Sequence, residues 1–539
     1  AQKITQLPGL GILESRLNKM YAAAEVAQAF RGQKGLLDAA IQNAAYRSLL
    51  QFKVATQFGK TVLSPATQVR NVTSASLFPL ASGHIGGNVS VPNAFKMILD
   101  DIFGAGKVIN EEAFIKNIEN KIRLGVIDEN IVASELKAVL QDIKKGAVNS
   151  LDGLFDKLAH GKFMREATRV YAGGDNVWKW YGHEYVKAQL KPLFRNLDDV
   201  AKWTREISGR TYIKRDLITN KIKTLDEAID ESAAWYIRNT YPTYSKVPEV
   251  IKAIRRLPFG NFVSFPAEMT RTSFNLIDIA AKEIASSNPI LRQMGYRRMI
   301  GTYTVLGGAG SAALNLASFL TGITEKDLDA YKRSFAAPWN RRSIMLPLNK
   351  WDKGIGKAIN FSYFSPYDVV QQPIEAYFKG LEENKMRGGD MSDYFLNEFW
   401  KLDGPMMTYF QPFISESIAQ EKVMDIIPAG YGGRGGETKT GSLVYSETDS
   451  PGDRMLKSFA HVLTGVAPGA WTTGSKIAGA LQEKVSPSGK PLSLRDELLA
   501  LFSGIRVVDV DVPKSMQYKI TTYQVRKRSV TKAEPFYTI

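Results

Sequence analysis

The residues whose types and spacing could do chemistry are few, and each spacing can be tested. Gly59-Lys60-Thr61 has the ending of a phosphate-binding loop, but the first glycine of such a loop would stand at position 54, which is Val54. Without it the backbone amides that cradle phosphate do not converge. Gly469 to Lys476 reads GAWTTGSK and keeps the glycine spacing, yet Ser475 stands where the lysine belongs. His183-Glu184 opens like the zinc-binding helix of a metalloprotease, which needs a second His at the position held by Lys187. These near-misses argue against nucleotide hydrolysis at a phosphate loop and against zinc-dependent proteolysis. Carboxylates such as Asp230, Glu231 and Glu268 are plentiful, and no spacing separates a catalytic pair from surface acids. A peptidoglycan-cleaving activity built on one acidic glutamate therefore stays open as an alternative.

One polar set shares a helical face: Glu268, Thr272 and Asn275, with Arg271 three residues from Glu268. A catalytic site would use such an acid, but so would a polar stripe that holds two packed helices in register. The stripe is the reading the pattern favours. No catalytic residue, metal ligand set or cofactor site is assigned from the sequence.

The elements that carry these residues are expected to be mainly α. Cysteine is absent and the four histidines (His84, His160, His183, His461) are scattered, which excludes disulfides and thiolate metal sites and argues against zinc. A chain of 539 residues exceeds one compact core. It divides by pattern into an N-terminal helical segment (1–60), a central helical domain (61–330), a mixed segment (331–429), a linker rich in Gly, Ser and Thr (430–453), and a C-terminal helical pair with an extended tail (454–539). Within 61–330, Ser64-Pro65 breaks the helical pattern, and the stretch Thr67 to Gly87 that follows, with Pro79 in it, reads as buried but irregular. Two amphipathic faces follow, one with Phe114, Ile115, Ile118 and Ile122, the other with Leu136, Val139, Leu140 and Ile143. A small β element is expected near 340–365, where Gly354 and Gly356 could turn a hairpin, and after Arg506 the sequence alternates like a strand. The chain starts at Ala1 rather than Met, so it is expected to be a processed product or a piece of a longer protein, and Ala1 to Tyr21 does not read as a signal peptide because it lacks a basic start followed by an apolar block.

The net charge of +16 attracts polyanions, either nucleic acid or an anionic membrane face. Arg255-Arg256, Arg297-Arg298 and Arg341-Arg342 are the candidate contacts, with solvated helix faces as the plainer account. The chain's organising stretch is Met299 to Ile323, which carries no charged side chain and is long enough as one helix for a hydrocarbon layer of about 30 Å. Its glycines, serines and threonines make the hydropathy weak, so three placements stay open: a helix buried in a helical core, insertion on contact with a bilayer, and a permanent span. The insertion candidates are Met299, Leu306, Gly307, Gly308, Ser311, Ala312, Leu314, Leu316, Phe319 and Leu320. Gly307 with Ser311 and Gly308 with Ala312 have the spacing that lets two helix backbones come close. The expectation is one helix, mostly buried, packed through its small residues.

Several longer phrases carry a resemblance. LSPATQVRNVTSASLFPLASG (Leu63 to Gly83), GDNVWKWYGHEYVKAQL (Gly174 to Leu190) and YIRNTYPTYSKVPEVIKAIRRLPFGNFVSFPAEMTRTSFN (Tyr236 to Asn275) occur in that order. INFSYFSPYDVVQQP and LLALFSGIRVVDVDVPKSMQYKI follow. Together they resemble the large-polyvalent-protein-associated regions of tailed-phage giant virion proteins. The resemblance implies an internal, ejection-type virion protein that is not an enzyme. Its expected partners are other virion proteins, packaged DNA and the host membrane, and it would act as a homo-oligomer or within a larger assembly. It would be located in the virion interior and then the host envelope. A scaffold or portal-associated structural role is the other alternative. No catalytic signature comes with the resemblance.

Overall fold

Capping residues and prolines set where the helices begin. In the computed structural model, Ser64 accepts a hydrogen bond from the Thr67 amide and Pro65 opens a helix, as expected where a first-turn amide has no intrahelical partner. The structure describes residues 2–3, 21–22, 44–86, 117, 119–127, 162–216, 220–248, 262–336, 343–401, 404–438, 443–446, 448–484 and 492–517, with single residues between 251 and 260 and between 519 and 523.

Helix dominates, as expected. The first helices are α1 (Ala44–Thr61), α2 (Pro65–Ala75) and α3 (Leu77–Ala81). The stretch expected to be irregular is thus mostly helical. Pro79 is tolerated because it sits in the first turn of α3, where no amide donor is needed. Next come α4 (Lys162–Leu190), α5 (Leu197–Trp203) and α6 (Leu225–Thr240), the last opened by a capping box between Thr224 and Glu227. After them lie α7 (Ser264–Ala285), α8 (Pro289–Tyr303), α9 (Ala309–Thr321) and α10 (Glu325–Ser334). Side chains of α3 to α8 fill one apolar core, with Val186, Leu190, Trp203, Ile229, Tyr236, Met269 and Leu276 at its centre.

The expected β element is present. Strands β1 (Met345–Pro347), β2 (Ile355–Asn360) and β3 (Val507–Asp511) form an antiparallel sheet in that order. Leu346 pairs with Ile359, and Ile359 in turn with Val507. A second core lies on this sheet, built from Ile323, Leu328, Tyr331, Met345, Ala358 and Val510.

The rest is helical: α11 (Asp368–Met386), α12 (Pro405–Ile414), α13 (Ile418–Ile426), α14 (Pro451–Val466), α15 (Gly469–Leu481) and α16 (Leu494–Ser503). Among the described residues the C-terminal segment holds three helices, α14 to α16, rather than the expected pair. They reach across the chain, since the Ala470 amide donates to Leu63 O at 2.8 Å and the Thr73 hydroxyl to Ser503 O at 3.2 Å. The described part of 430–453 is not an open tether. Arg434 pairs with Asp425 at 2.7 Å and with Glu416, folding the loop onto α13. Tyr21–Ala22, inside a stretch expected to be helical, pairs with Gln2–Lys3. The faces built on Phe114, Ile115 and Ile118, and on Leu136 to Ile143, lie outside the described residues. Ile122, from the first of these faces, is exposed.

Candidate functional site: a bent apolar helix pair above a buried ion pair

Helices α7 and α8 run back on one another, and a buried ion pair joins them. Arg298 Nε donates to Glu283 Oε2 at 2.9 Å and Nη2 to Oε1 at 3.1 Å, while Nη1 reaches Ser82 O at 3.3 Å. The guanidinium lies 5.0 Å from the centre of the Tyr236 ring. Burial alone would lower the arginine's affinity for its proton, but the Glu283 carboxylate outweighs it and holds Arg298 above its ordinary value. Beside it, His84 Nδ1 lies 3.0 Å from the Tyr241 hydroxyl, with the ring stacked against Tyr185 and Tyr241. Burial first, and the Arg298 charge second, hold His84 well below the usual histidine range, so it is neutral.

The backbones meet closely here. A Cβ at Gly301 would strike the Leu80 carbonyl oxygen, and Gly83 (φ 71°) lies against the Arg297 backbone. The Thr302 hydroxyl donates to Ala81 O at 2.9 Å. Helix α8 is thus pinned to α3 over one turn.

Past that turn the helix breaks. Thr304–Gly308 forms a π turn, which adds a residue to the repeat and frees carbonyls. Gln371 of α11 takes one of them, donating to Val305 O at 2.7 Å. The two halves meet at a bend of 50°. Met299 to Ile323 is therefore not one helix, and among the described residues no single helix is long and apolar enough to cross a membrane. The bent pair passes that test together, by length and composition.

Burial also departs from expectation. Met299, Leu306 and Leu314 are half-buried, with Leu306 on the main core and Leu314 on the sheet core. Ile300, Tyr303 and Leu316 are exposed, and Phe319 and Leu320 are 85% and 72% exposed. Gly307, Ser311 and Ala312 are also on the exposed side, no atom of the described residues lies within 4 Å of a Cβ placed at Gly307, and a Cβ at Gly308 would lie nearest to Tyr303, one turn back. The close helix approach expected at these small residues occurs earlier, at Gly301, where α8 crosses α3.

The arginine doublets fare differently. Arg298 is 1% exposed and fully engaged, so it is no polyanion contact; its carboxylate partner lies on the preceding helix. Arg297 is exposed and donates to the Tyr185 hydroxyl at 3.2 Å. Arg255, Arg256, Arg341 and Arg342 lie outside the described residues.

The polar stripe closes the end of α6. Buried Glu268 accepts from Arg271 Nε at 2.9 Å and from the Thr243 amide at 2.7 Å. Arg271 Nη2 and Asn275 Nδ2 donate to the carbonyls of Arg238 (3.1 Å) and Asn239 (3.0 Å) in the last turn of α6. Thr272 bonds back to Glu268 O at 2.8 Å. Every one of these groups is spent on helix ends and register.

Sequence reasoning missed one cluster. Lys121, 2% exposed, lies 2.9 Å from His183 Nδ1 and 2.5 Å from Glu184 Oε1, while Lys187 pairs with Asp230 at 2.7 Å. Because lysine donates to Nδ1, the other ring nitrogen carries the proton and faces Asp230 O at 3.2 Å. Burial pushes the Lys121 ammonium down, against the pull of Glu184. Burial would raise Glu184, but the charge and hydrogen bond of Lys121 act against it and the carboxyl comes to about 2. Adjacent His183-Glu184 was the only signal, and the lysine that completes the set is 62 residues away. The set is a clamp between segments, with its charges matched internally.

The two loop-like motifs are helical. Gly59-Lys60-Thr61 is the last turn of α1, and GAWTTGSK lies within α15. A phosphate loop precedes a helix, which neither does. Among the described residues no group of three or more His, Asp or Glu side chains is placed to hold a metal ion. No family model matches the chain, and neither a curated protein nor a solved structure is significantly similar to it.

Proposed function

We propose that the chain is a non-enzymatic internal component of a tailed-phage particle, of the ejection type. In this reading it sits among other virion proteins beside packaged DNA, held there by its positive charge, and meets the host membrane during genome delivery. The observation that carries the membrane part is the outward apolar side of the bent pair, with Ile300, Tyr303, Leu316, Phe319 and Leu320 turned to solvent. Large apolar side chains left exposed in this number on one helix pair are usually covered by a partner or by lipid. The bend supports a two-step contact: α9 enters the headgroup layer first, and straightening of the π turn would bring α8 and α9 to bilayer length.

Release of a dye from anionic liposomes by the wild type and by a Phe319→Ser/Leu320→Ser variant tests this reading. The wild type should cause leakage and the variant should lose most of it. An intact wild type that neither binds nor permeabilises vesicles of any lipid composition would end the membrane reading and leave a structural virion part.

A further inference from the structure

Four cations gather where α6 ends. Arg238 lies in its last turn, Lys246 ends the short turn Tyr244–Lys246 that follows, and Arg271 comes from α7. Arg210 follows a second π turn, Thr204–Ser208, which packs on α7. Hydrogen bonds hold three of them in place. Lys246 Nζ donates to Asn239 Oδ1 at 2.9 Å, Arg238 Nε to Ala234 O at 3.3 Å, and Arg271 Nη2 to Arg238 O at 3.1 Å. Among the described residues two acids act on the cluster, and both are taken. Arg271 holds Glu268 through both oxygens, at 2.9 and 2.6 Å, and Lys223 holds Glu231 at 2.7 Å. On the π turn itself Arg205 stands beside Glu206, which reaches Lys202 at 4.0 Å. The charges of Arg210, Arg238 and Lys246 are left without an acid.

The crowding shows in Lys246. Burial first, then the charges of Arg271, Arg238 and Arg210, bring its ammonium down to about 8, with Glu268 pulling the other way. Burial and the Arg210 charge lower Arg238 as well. Like charges held together cost free energy in the folded protein, and an anion that bridged them would remove that cost. The donors for it are present: among the described residues Arg238 Nη1 and Nη2 and the whole Arg210 fork make no hydrogen bond. Guanidinium forks match the paired oxygens of a phosphate, and a lysine adds a point charge. Arg210 is exposed and Arg238 and Lys246 are half-buried, so the cluster opens outward and suits a group on a polymer passing over the surface. We propose that Arg210, Arg238 and Lys246 bind a backbone phosphate of duplex DNA, a contact that positions the duplex without reading its sequence. The proposal rests on the DNA part of the reading above and places a contact outside the arginine doublets.

The test is binding of the full chain to two duplexes of unrelated sequence across a salt series. Arg210→Gln/Lys246→Gln should lose about tenfold or more in affinity for both, the loss of one charge-assisted contact, and its salt slope should flatten by about 0.9. Its melting temperature should not fall, because Arg210 has no partner to lose and removing Lys246 relieves repulsion. Lys246→Arg keeps its charge at any pH. Wild-type affinity should therefore fall between about pH 7 and pH 9, where binding must first return a proton to Lys246, and Lys246→Arg should lack that fall. The proposal is overturned if the double variant binds duplex with wild-type affinity and slope. Binding lost in the fourfold alanine variant of Arg255, Arg256, Arg341 and Arg342 would then leave the DNA reading standing, whereas a wild type that binds no duplex at low salt ends both. If the double variant loses binding to phosphatidylglycerol vesicles and keeps its binding to duplex, the occupant is a lipid headgroup and the proposal also falls.

Discussion

The Arg298 guanidinium grips the Glu283 carboxylate through two hydrogen bonds, although the residues belong to successive helices and neither is more than 1% exposed. The pair fixes the register of α7 on α8 at the point where α8 also meets α3. Its position explains why the bend begins only beyond Thr302, the last residue of α8 pinned to α3.

Removing one partner strands a charge. Glu283→Gln or Arg298→Met is expected to cost about 3–5 kcal/mol in denaturant unfolding. The double change to apolar residues should recover much of that loss, and a cycle in which the two single costs simply add would contradict the coupling.

The glycines divide by position. Gly301→Ala puts a methyl group into the Leu80 carbonyl and should cost about 1–3 kcal/mol. Gly307→Ala meets no atom of the described residues within 4 Å and should be neutral or stabilise by up to about 1 kcal/mol. Thermal unfolding of the two variants side by side decides it.

Buried acids set the pH profile. Burial pushes Asp368 up to about 7, against hydrogen bonds from Ser362 and Gln372, and Asp175 up to about 6, against the Lys179 charge. Both stand at 3.8 when unperturbed, so between about pH 4 and pH 7 the folded state holds protons that the unfolded chain has released. Their contribution to stability therefore falls as pH rises. Asp368→Asn should leave the melting temperature unchanged near the acid end of that window and raise it above neutrality. Glu184 has the opposite sign: its folded value of about 2 lies below the ordinary 4.5, so its contribution is full above about 4.5 and is lost as pH falls towards 2. Glu184→Gln should destabilise at neutral pH and have no effect near pH 2.

Non-specific DNA binding should depend on the doublets Arg255-Arg256 and Arg341-Arg342. Alanine at all four positions together is expected to weaken duplex binding equally across sequences and to flatten its salt dependence by about 0.9 for each phosphate no longer neutralised. Arg298→Met should damage folding and leave the salt slope alone. An unchanged affinity in the fourfold variant would reduce the charge of the doublets to a solubility device.

The third strand was legible because Val508 to Asp511 alternates with a period of two, and the first two because Gly354 turns the chain between them. The stripe on Glu268 was legible because its members share one helical face. Arg298 was not: a doublet with Arg297 reads as surface, and its partner Glu283 is recognisable only once the two helices fold back on each other. Met299 to Ile323 misled for a related reason. Hydropathy counts apolar residues without giving a direction, so neither the π turn nor the outward face of Leu316, Phe319 and Leu320 is written in it. Helix α14 shows the same limit, because periodicity reveals two faces but not that the one with His461 turns in, onto buried Asp425, and leaves Met455, Leu456 and Phe459 exposed.

The three-stranded sheet has a mechanical consequence. Tension on the N-terminal side of the chain enters the sheet at Met345, beside Asn360, and tension on the C-terminal side enters at Asp511, beside Ile355. These points are at opposite ends of β2, so the ladder is loaded in shear and its hydrogen bonds resist together instead of peeling one by one. Everything from 361 to 506 sits inside the loop that the sheet closes and adds no length to a pulled chain until the sheet ruptures. A chain drawn through a narrow passage by its ends would give up its other helices first and release this loop in one step, an extension jump that single-molecule pulling would record, and that would be absent if the loop lengthened gradually.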